Sequence, residues 1–245
     1  MKTFNYKCKV PKFKYYFRHP VEQILFFDIE TTGLSPKASS LYMIGVMFYN
    51  KEDNNWHLIQ FFADNYKSEA DMINSFLDIL ENYNYLYHFN GKTFDIPYIL
   101  NKCDKHGISP SEHSDKILND KSGIYSIDIL AYIRPVKKML NLSKANQTAL
   151  ERWLGIVRDD KFDGGKLIPI YTEYMQKKIL APAKADELEK ILFLHNYEDI
   201  ENMLNVASIM SYNDISALSP ISDDETIFNE YSKQFYISDI TIDED

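Results

Sequence analysis

The chain has 245 residues, of which 45% are hydrophobic, enough for one well-packed domain with terminal extensions. Its longest apolar run, residues 41–49, is about half the roughly 18 to 20 residues that span a bilayer. We therefore expect an unexported, cytoplasmic protein without a membrane span, and the widely separated Cys8 and Cys103 fit ordinary thiols in a reducing compartment. The net charge of −9 argues weakly against a nucleic-acid partner, because phosphate binding draws on clustered Lys and Arg.

Charge is polarised along the chain. Residues 1–21 carry Lys and Arg without any acid and interleave them with aromatic residues, whereas residues 222–245 are strongly acidic. This pattern predicts a basic aromatic N-terminal extension (1–21), a folded domain (22–212) and an acidic C-terminal tail (213–245). The head has a composition that can bind single strands by stacking and charge, although Lys and aromatic residues are abundant throughout the chain. The tail is expected to be a disordered shield or a partner-binding segment, in which residues 234–242 could add a strand.

The first elements in chain order are predicted to be strands. Gln23–Ile29 is a buried strand, and Leu41–Asn50 and Trp56–Ala63 follow it after turn-forming polar residues. These three strands can form an antiparallel meander. A helix then begins at about Ser68, which is an N-cap followed by acids in the first turn. Asn84–Phe89 returns as a strand.

The second half is predicted to be mainly helical. Asp95–Lys105 forms a helix, and Ile124–Ile127 a short strand before a further helix that Pro135 limits or kinks. From Ala183 to about residue 211, apolar residues at helical spacing indicate one long helix with a buried face. Strands first and helices later predict an α/β fold in which helices flank a central mixed β-sheet.

The first motif with chemical content is the acid pair Asp28 and Glu30. Two residues apart at the end of a strand, their side chains point to the same face, and apolar residues precede them directly. Two neighbouring carboxylates at the edge of a core are costly unless protons or cations neutralise them, so the pair suggests Mg²⁺ or Mn²⁺. Alone, the pair fits equally well a turn cap at Asp28 and a solvated Glu30.

The second motif is Asp95, which follows the Gly-containing segment Asn90–Phe94. A strand ending in such a turn places Asp95 at a helix start, close to the sheet edge that could also hold Asp28. Considered alone, Asp95 is more simply a helix N-cap and Asn90 a turn residue. Lys92 is more often solvated, although here it could contact a phosphate.

The third motif is His195 with Asp199, which are four residues apart and share a helix face. Apolar residues at helical spacing around them turn that face inward, where acids need partners. A histidine titrates near neutrality and can accept a proton from an attacking water, while Asp199 completes a carboxylate cluster. A surface pair is the alternative for this motif alone, and Tyr197 with Glu201 forms a rival pair on the same helix.

In this order and spacing, the three motifs resemble those of the DEDD superfamily of 3′-to-5′ exonucleases, which have a ribonuclease H-like fold. Residues 27–31 (Phe-Asp-Ile-Glu-Thr) resemble its first motif, residues 90–95 its second and residues 195–199 its third. The resemblance covers about residues 22–212. Within it, segments between residues 126 and 174 resemble the YprB-type branch in particular.

The resemblance implies a metal-dependent nuclease that removes nucleoside 5′-monophosphates from a 3′ end or single strand of DNA or RNA. Two divalent ions, Mg²⁺ or Mn²⁺, would activate a water and stabilise the leaving oxygen. The implied ligands are Asp28, Glu30, Asp95 and Asp199. His195 would be the catalytic residue that orients or deprotonates the water. The expected substrate-binding residues are Thr31, Asn90, Lys92 and Phe94.

Some alternatives remain open. The histidine branch usually places its histidine five residues before the last aspartate, whereas this chain has the spacing of four used by the tyrosine branch, so the Tyr197–Glu201 pair stays a rival. A structure-selective or ribonuclease H-like endonuclease and a catalytically inactive nucleic-acid-binding module are the rival functions. Two other acidic sites stand outside the expected ligand set: Asp128 is predicted to cap a helix, and residues 158–160 (Arg-Asp-Asp) to form a solvated loop.

Overall fold

A six-stranded mixed sheet lies at the centre of the computed structural model, which describes residues 1–8, 19–138, 140–162 and 164–211. The sheet order is β1-β4-β3-β2-β5-β6. The strands are β1 (Lys2–Lys7), β2 (Ile24–Thr31), β3 (Leu41–Asn50), β4 (Asn55–Phe62), β5 (Tyr85–His88) and β6 (Ser126–Asp128). Strand β1 pairs antiparallel with β4, β4 with β3, and β3 with β2. The strands β2, β5 and β6 run parallel to one another.

Seven α-helices accompany the sheet within the described part of the chain. They are α1 (Glu69–Leu80), α2 (Asp95–His106), α3 (Glu112–Leu118), α4 (Ile129–Val136), α5 (Gln147–Trp153), α6 (Gly164–Leu180) and α7 (Pro182–Ala207). Short 3₁₀ turns occupy Val21–Gln23 and Ser208–Ser211. None of the helices described here combines the length and the apolar character needed to cross a membrane.

The predicted α/β arrangement around a mixed sheet is confirmed, including the antiparallel meander β2-β3-β4. Two boundaries follow from proline: α4 ends at Val136, directly after Pro135, and α7 begins with Pro182 in its first turn. The helix predicted from Asp95 ends where Gly107 adopts a left-handed φ of 65°.

The sheet extends into the predicted N-terminal extension. Lys2–Lys7 forms the edge strand β1, in which Tyr6 pairs with Leu58 of β4. Residues 9–18 of the basic head lie outside the described residues, and so does the predicted tail 213–245, with its possible strand at 234–242.

Three helices were not predicted from the sequence, namely α3, α5 and α6. The first two are only seven residues long, too short for a periodic pattern to be distinctive, and each depends on a side-chain cap. Ser111 accepts a hydrogen bond from the Ser114 amide, and Asn146 from that of Ala149. Helix α6 begins with two glycines and contains Pro169, so its sequence resembles a loop.

Helix α7 crosses the sheet and joins both hydrophobic clusters of the core. Its first half packs against α6 and its second half against α5, and the two halves belong to different clusters. Its close approach to the sheet depends on Gly45 of β3, where an added Cβ would lie 2.1 Å from Ile200 Cδ1 and 2.3 Å from Asn196 Oδ1. Gly45 pairs with Asp28, so this contact brings α7 directly beside the first predicted site residue.

Candidate functional site

The two acids of β2 lie on one face of the sheet, as strand alternation predicts. Glu30 is 7% exposed, and Asp28 is half-buried beside α7. The Asn196 side-chain amide donates to Asp28 Oδ2 at 3.1 Å, and the buried Gln60 amide in turn donates to Asn196 Oδ1 at 2.9 Å. Two neutral amides therefore hold the Asp28 carboxylate in place.

Asp95 reaches the same place because β5 ends before β2 does. The last paired residue of β5 opposite β2 is Tyr87, against Phe26, so the following turn delivers the start of α2 to the end of β2. The Ile29 amide donates to Asp95 Oδ1 at 3.3 Å. Asp95 is the first residue of α2 and Phe94 occupies the N-cap position. The alternative role of Asp95 as the helix N-cap is therefore wrong.

On α7, His195 and Asp199 face the β2 acids. His195 Nε2 lies 3.2 Å from Asp199 Oδ2 and 3.7 Å from Glu30 Oε1. The Tyr197 hydroxyl instead donates to Glu201 Oε1 at 2.8 Å and stacks edge-on with Tyr6 of β1. The structure thus brings the His195–Asp199 pair to the other acids and directs the rival Tyr197–Glu201 pair towards β1.

The prediction of a solvated loop at residues 158–160 is wrong for two of its three residues. Asp160 is 7% exposed, and its Oδ2 lies 2.7 Å from His195 Nδ1. The Arg158 guanidinium pairs with Asp199 Oδ1 and, at 2.6 Å, with both oxygens of Glu151. Only Asp159 is exposed. Opposite charges neutralise one another here, which lets a polar segment be buried.

This segment is anchored to α7 by residues that the sequence reasoning missed. Glu198 accepts the backbone N–H groups of Asp159 and Asp160 at 2.8 and 2.9 Å. The Gln147 amide of α5 donates to the backbone oxygen of Asp199 at 2.6 Å. In the sequence, Glu198 is marked only by its place next to Asp199, on the predicted buried face of the long helix.

Asp128 forms the helix cap that was predicted for it. Its side chain accepts a hydrogen bond from the Leu130 amide at the start of α4, and its Oδ1 also accepts from the Asn90 amide at 2.9 Å. Asn90 itself adopts a left-handed φ of 66° in the turn between β5 and α2. Asp128 therefore fixes the turn that precedes Asp95.

A cavity of about 320 Å³ opens at this point. All three predicted site residues of β2, namely Asp28, Glu30 and Thr31, line it together with Phe94, His195 and Asp199. Its other lining residues are Ile29, Gly33, Leu34, Gly164, Gly165 and Ile168. The lining does not include Asp95, Asn90 or Lys92, whose assignments to the metal ions and the substrate stay predictions.

The electrostatics of the acidic cluster (Asp28, Glu30, Asp95 and Asp199) show strong mutual repulsion. Burial, reinforced by the charges of the other three acids, raises the pKa of Asp28 well above its usual value. Burial also raises the pKa of Glu30 to about 8 and that of Asp95 to about 7. Burial lowers the pKa of His195, but the charges of Asp199, Glu30 and Asp160 outweigh it, so the net shift is upward. Protons or cations must therefore neutralise this cluster.

The residues fit a divalent cation. Ligand atoms of Glu30, His195 and Asp199 lie within 4.8 Å of one another. Asp28 and Asp95 each use one oxygen as a hydrogen-bond acceptor, which fixes the carboxylate and leaves the second oxygen for an ion. Hard oxygen donors of this kind suit Mg²⁺ or Mn²⁺.

The chain is thus an α/β domain with a mixed sheet and an acidic cavity at the end of strand β2. A sequence model described as the RNase_H superfamily matches residues 25–211, and the chain belongs to that superfamily. The predicted ribonuclease H-like fold is confirmed by this match. Membership of the YprB-type branch stays a prediction.

Polymerases are among the similar proteins. "DNA polymerase 1" of Sulfurisphaera ohwakuensis is 39% identical over 59 residues, which cover 24% of this chain and 7% of the polymerase. "DNA polymerase" of Ostreid herpesvirus 1 is 38% identical over 47 residues, 18% of this chain and 2% of that protein. The family B DNA polymerase of Pyrobaculum calidifontis superposes with a TM-score of 0.57 at 17% identity, over 85% of this chain and 28% of its own. That likeness shows the fold alone, and the chain spans only a small part of these polymerases.

Proposed function

We propose that this protein is a 3′-to-5′ exonuclease that uses two divalent ions to release nucleoside 5′-monophosphates from DNA or RNA. The observation that carries the proposal is the convergence of Asp28, Glu30 and Asp199 around one cavity that His195 also lines, with Asp95 directly behind them, where its charge acts on Asp28. Burial raises the pKa values of Asp28, Glu30 and Asp95, and three such carboxyl groups close together are costly for a purely structural role and suit a site that binds cations.

The cavity supports a strand end as the substrate. Its volume of about 320 Å³ lies at the lower end of the roughly 300 to 1,000 Å³ of ligand pockets, which suits one nucleotide. Phe94 offers an apolar wall for the sugar or base, and Thr31 a hydroxyl for a polar contact. Contacts of Asn90 and Lys92 with the strand remain predictions within this proposal.

The residues divide the reaction between them. When bound, the ions supply the positive charge that activates the attacking water and stabilises the leaving oxygen. Asp28, Glu30, Asp95 and Asp199 hold these ions. His195 Nε2 faces the cavity and accepts the proton of the water as its oxygen bonds to phosphorus. The bond from phosphorus to the preceding 3′ oxygen breaks, and that oxygen takes a proton from solvent, which leaves a 3′-hydroxyl and a nucleoside 5′-monophosphate.

The test is the degradation of 5′-labelled single-stranded DNA and RNA with Mg²⁺ or Mn²⁺. We expect products that shorten one nucleotide at a time from the 3′ end. Asp28→Ala should remove nearly all activity, and His195→Ala should lower it roughly 10²- to 10⁴-fold. Asp104→Ala, which removes an exposed carboxylate of α2, is the matched control and should retain full activity.

Circular single strands separate the rival functions. An exonuclease leaves them intact, whereas cleavage would identify an endonuclease with the same fold and ions. Binding of linear strands without any cleavage, in both metals, would identify a binding module. Normal turnover by Asp28→Ala would refute the proposed site.

A further inference from the structure

The two ring nitrogens of His195 point in different directions, one into the protein interior and one towards the cavity. Nδ1 lies 2.7 Å from Asp160 Oδ2, a contact between two buried side chains. Nε2 points the other way, 3.2 Å from Asp199 Oδ2 and 3.7 Å from Glu30 Oε1, on the wall of the cavity. One nitrogen is therefore committed to a buried carboxylate, and the other is presented to the site.

Asp160 is held in place independently of His195. Its Oδ1 accepts a hydrogen bond from the Phe162 amide at 3.0 Å, and its own amide donates to Glu198 Oε2 at 2.9 Å. The Arg158 guanidinium lies 4.0 Å from Asp160 Oδ2. Since α7 supplies both His195 and Glu198, the segment and the histidine keep a fixed relation to each other.

The chemistry of the pair determines what His195 offers to the site. An ionised carboxylate accepts hydrogen bonds and donates none, so a neutral imidazole facing it carries its proton on Nδ1. When cations engage the Asp199 and Glu30 carboxylates that lie 3.2 and 3.7 Å from Nε2, this nitrogen keeps its lone pair towards the cavity. We propose that Asp160 is the positioning residue of the site, fixing the ring orientation and the tautomer of His195 so that Nε2 can accept the proton of the attacking water.

This inference rests on the proposed nuclease function for its kinetic consequence, but its structural part does not. Asp160 touches neither the cavity nor the proposed ions and acts only through His195. Replacing its carboxylate by an amide of nearly equal size would place an N–H donor opposite Nδ1 and favour the opposite tautomer. Nε2 would then carry the proton and lose its acceptor role.

The kinetic test compares Asp160→Asn with Asp159→Asn, its exposed neighbour whose backbone contact with Glu198 does not involve its side chain. Asp160→Asn should lower kcat roughly 10²- to 10⁴-fold with little change in KM, whereas Asp159→Asn should leave both unchanged. The double variant Asp160→Asn/His195→Ala should be no slower than His195→Ala alone. Additive losses, or a change in KM alone, would overturn the positioning role.

A spectroscopic test needs no nuclease activity. Long-range ¹H–¹⁵N correlation spectra of the Mg²⁺-loaded, ¹⁵N-histidine-labelled protein at about pH 8.5 report which ring nitrogen carries the proton, and the His195→Ala spectrum assigns the signal. We expect the proton on Nδ1 in the parent chain and on Nε2 in Asp160→Asn. A parent ring protonated at Nε2, or a tautomer unchanged by Asp160→Asn, would overturn the proposal even if the nuclease assay succeeds.

A last measurement addresses the other use that proteins make of a carboxylate-bound histidine, which is to ligate a metal through the free nitrogen. Pulsed EPR of the protein loaded with Mn²⁺ alone should show no ¹⁴N coupling from a directly bound imidazole. Such a coupling, lost in His195→Ala, would make Nε2 a ligand and overturn its role as a proton acceptor. Absence of any nuclease activity with the expected tautomer would refute the proposed function and retain the Asp160–His195 arrangement.

Discussion

The site has two halves that solve the problem of buried charge differently. The strand half consists of Asp28 and Glu30 on β2 and Asp95 at the start of α2, and its contacts with Asn196 and the Ile29 amide are neutral. The helix half consists of His195 and Asp199 on α7. There each titratable side chain meets a polar partner from outside the helix, because Arg158 pairs with Asp199 and Asp160 with His195.

This difference has consequences for how each half is stabilised. In the strand half, burial and like charges raise the pKa values of all three acids, so the folded chain needs a proton or a cation there. In the helix half, the Arg158 guanidinium supplies a permanent positive charge. Its burial lowers its pKa, but the hydrogen bond and charge of Glu151 and the charge of Asp199 outweigh this effect, so the net pKa shift is upward. The helix half is therefore organised by the protein alone, whereas the strand half depends on what it binds.

The largest effect on stability is expected from removing the permanent charge of the helix half. Arg158→Met leaves Glu151, which is 1% exposed, as a buried carboxylate that has lost its positive partner and keeps only the hydrogen bond from the Gln147 amide. Breaking a buried pair by removing one partner costs about 3–5 kcal/mol, so the free energy of unfolding in urea should fall by that amount. Arg152→Met, on the exposed face of the same helix as Glu151, should change it by less than about 0.5 kcal/mol.

A second substitution identifies the cause. If the unpaired Glu151 is responsible, then Arg158→Met/Glu151→Gln should regain most of the lost stability. A loss below about 1 kcal/mol for Arg158→Met would mean that the helix half does not depend on its internal ion pairs, and the contrast between the halves would disappear.

The contact between the two halves is tested at Gly45. Gly45→Ala places a methyl group 2.1 Å from Ile200 Cδ1 and 2.3 Å from Asn196 Oδ1, so either these two side chains must shift or α7 must move away from β2 and β3. Overpacking of this kind costs about 1–3 kcal/mol, measured as a lower urea midpoint. A displacement of about 1 Å between the halves should also lower kcat on the order of 10²-fold.

The matched control for stability is Gly164→Ala, since an added Cβ there meets nothing within 4 Å. It should unfold at the same urea concentration as the parent chain or a slightly higher one. Equal effects of the two substitutions would show that α7 is free to shift without cost.

The strand half could be predicted from sequence largely because its information is local. Asp28 and Glu30 follow an apolar strand directly, and Asp95 follows a glycine-containing turn, so each lies within a few residues of the pattern that reveals it. The order of the strands β2, β3 and β4 was accessible for the same reason. Neighbouring strands joined by short polar turns usually pair with each other.

The helix half could be predicted only in part. His195 and Asp199 appear in the helical pattern, but their partners are 35 and 41 residues away, in a segment whose local sequence is that of an exposed loop. Burial of Arg158 and Asp160 follows from charge pairing between distant segments, which no local periodicity encodes. The helix α6 escaped prediction for a related reason, since packing on α7 overrides its glycines and Pro169.

The last prediction concerns the dependence of the strand half on protons, an effect that is spread over several pH units. Without divalent ions, burial holds the pKa of Glu30 at about 8 and that of Asp95 at about 7, above their ordinary values of 4.5 and 3.8. Between the ordinary and the raised pKa of each group, the folded chain binds more protons than the unfolded chain. The free energy of unfolding therefore falls as pH rises. Each such proton contributes a slope of at most about 1.4 kcal/mol per pH unit.

Urea unfolding at intervals between about pH 5 and pH 8 measures this slope. Burial lowers the pKa of His195, but the charges of Asp199, Glu30 and Asp160 outweigh it, so the net pKa shift is upward. Stability from this shift is also lost as pH rises, which adds to the decrease in the free energy of unfolding. Saturating Mg²⁺ should flatten the dependence of the free energy of unfolding on pH, because the ion replaces the protons. In metal-free buffer, Glu30→Gln should reduce the slope, whereas the control Asp104→Asn should leave it unchanged. Stability that rises with pH in the metal-free protein would show that the strand half, like the helix half, is neutralised by the chain itself.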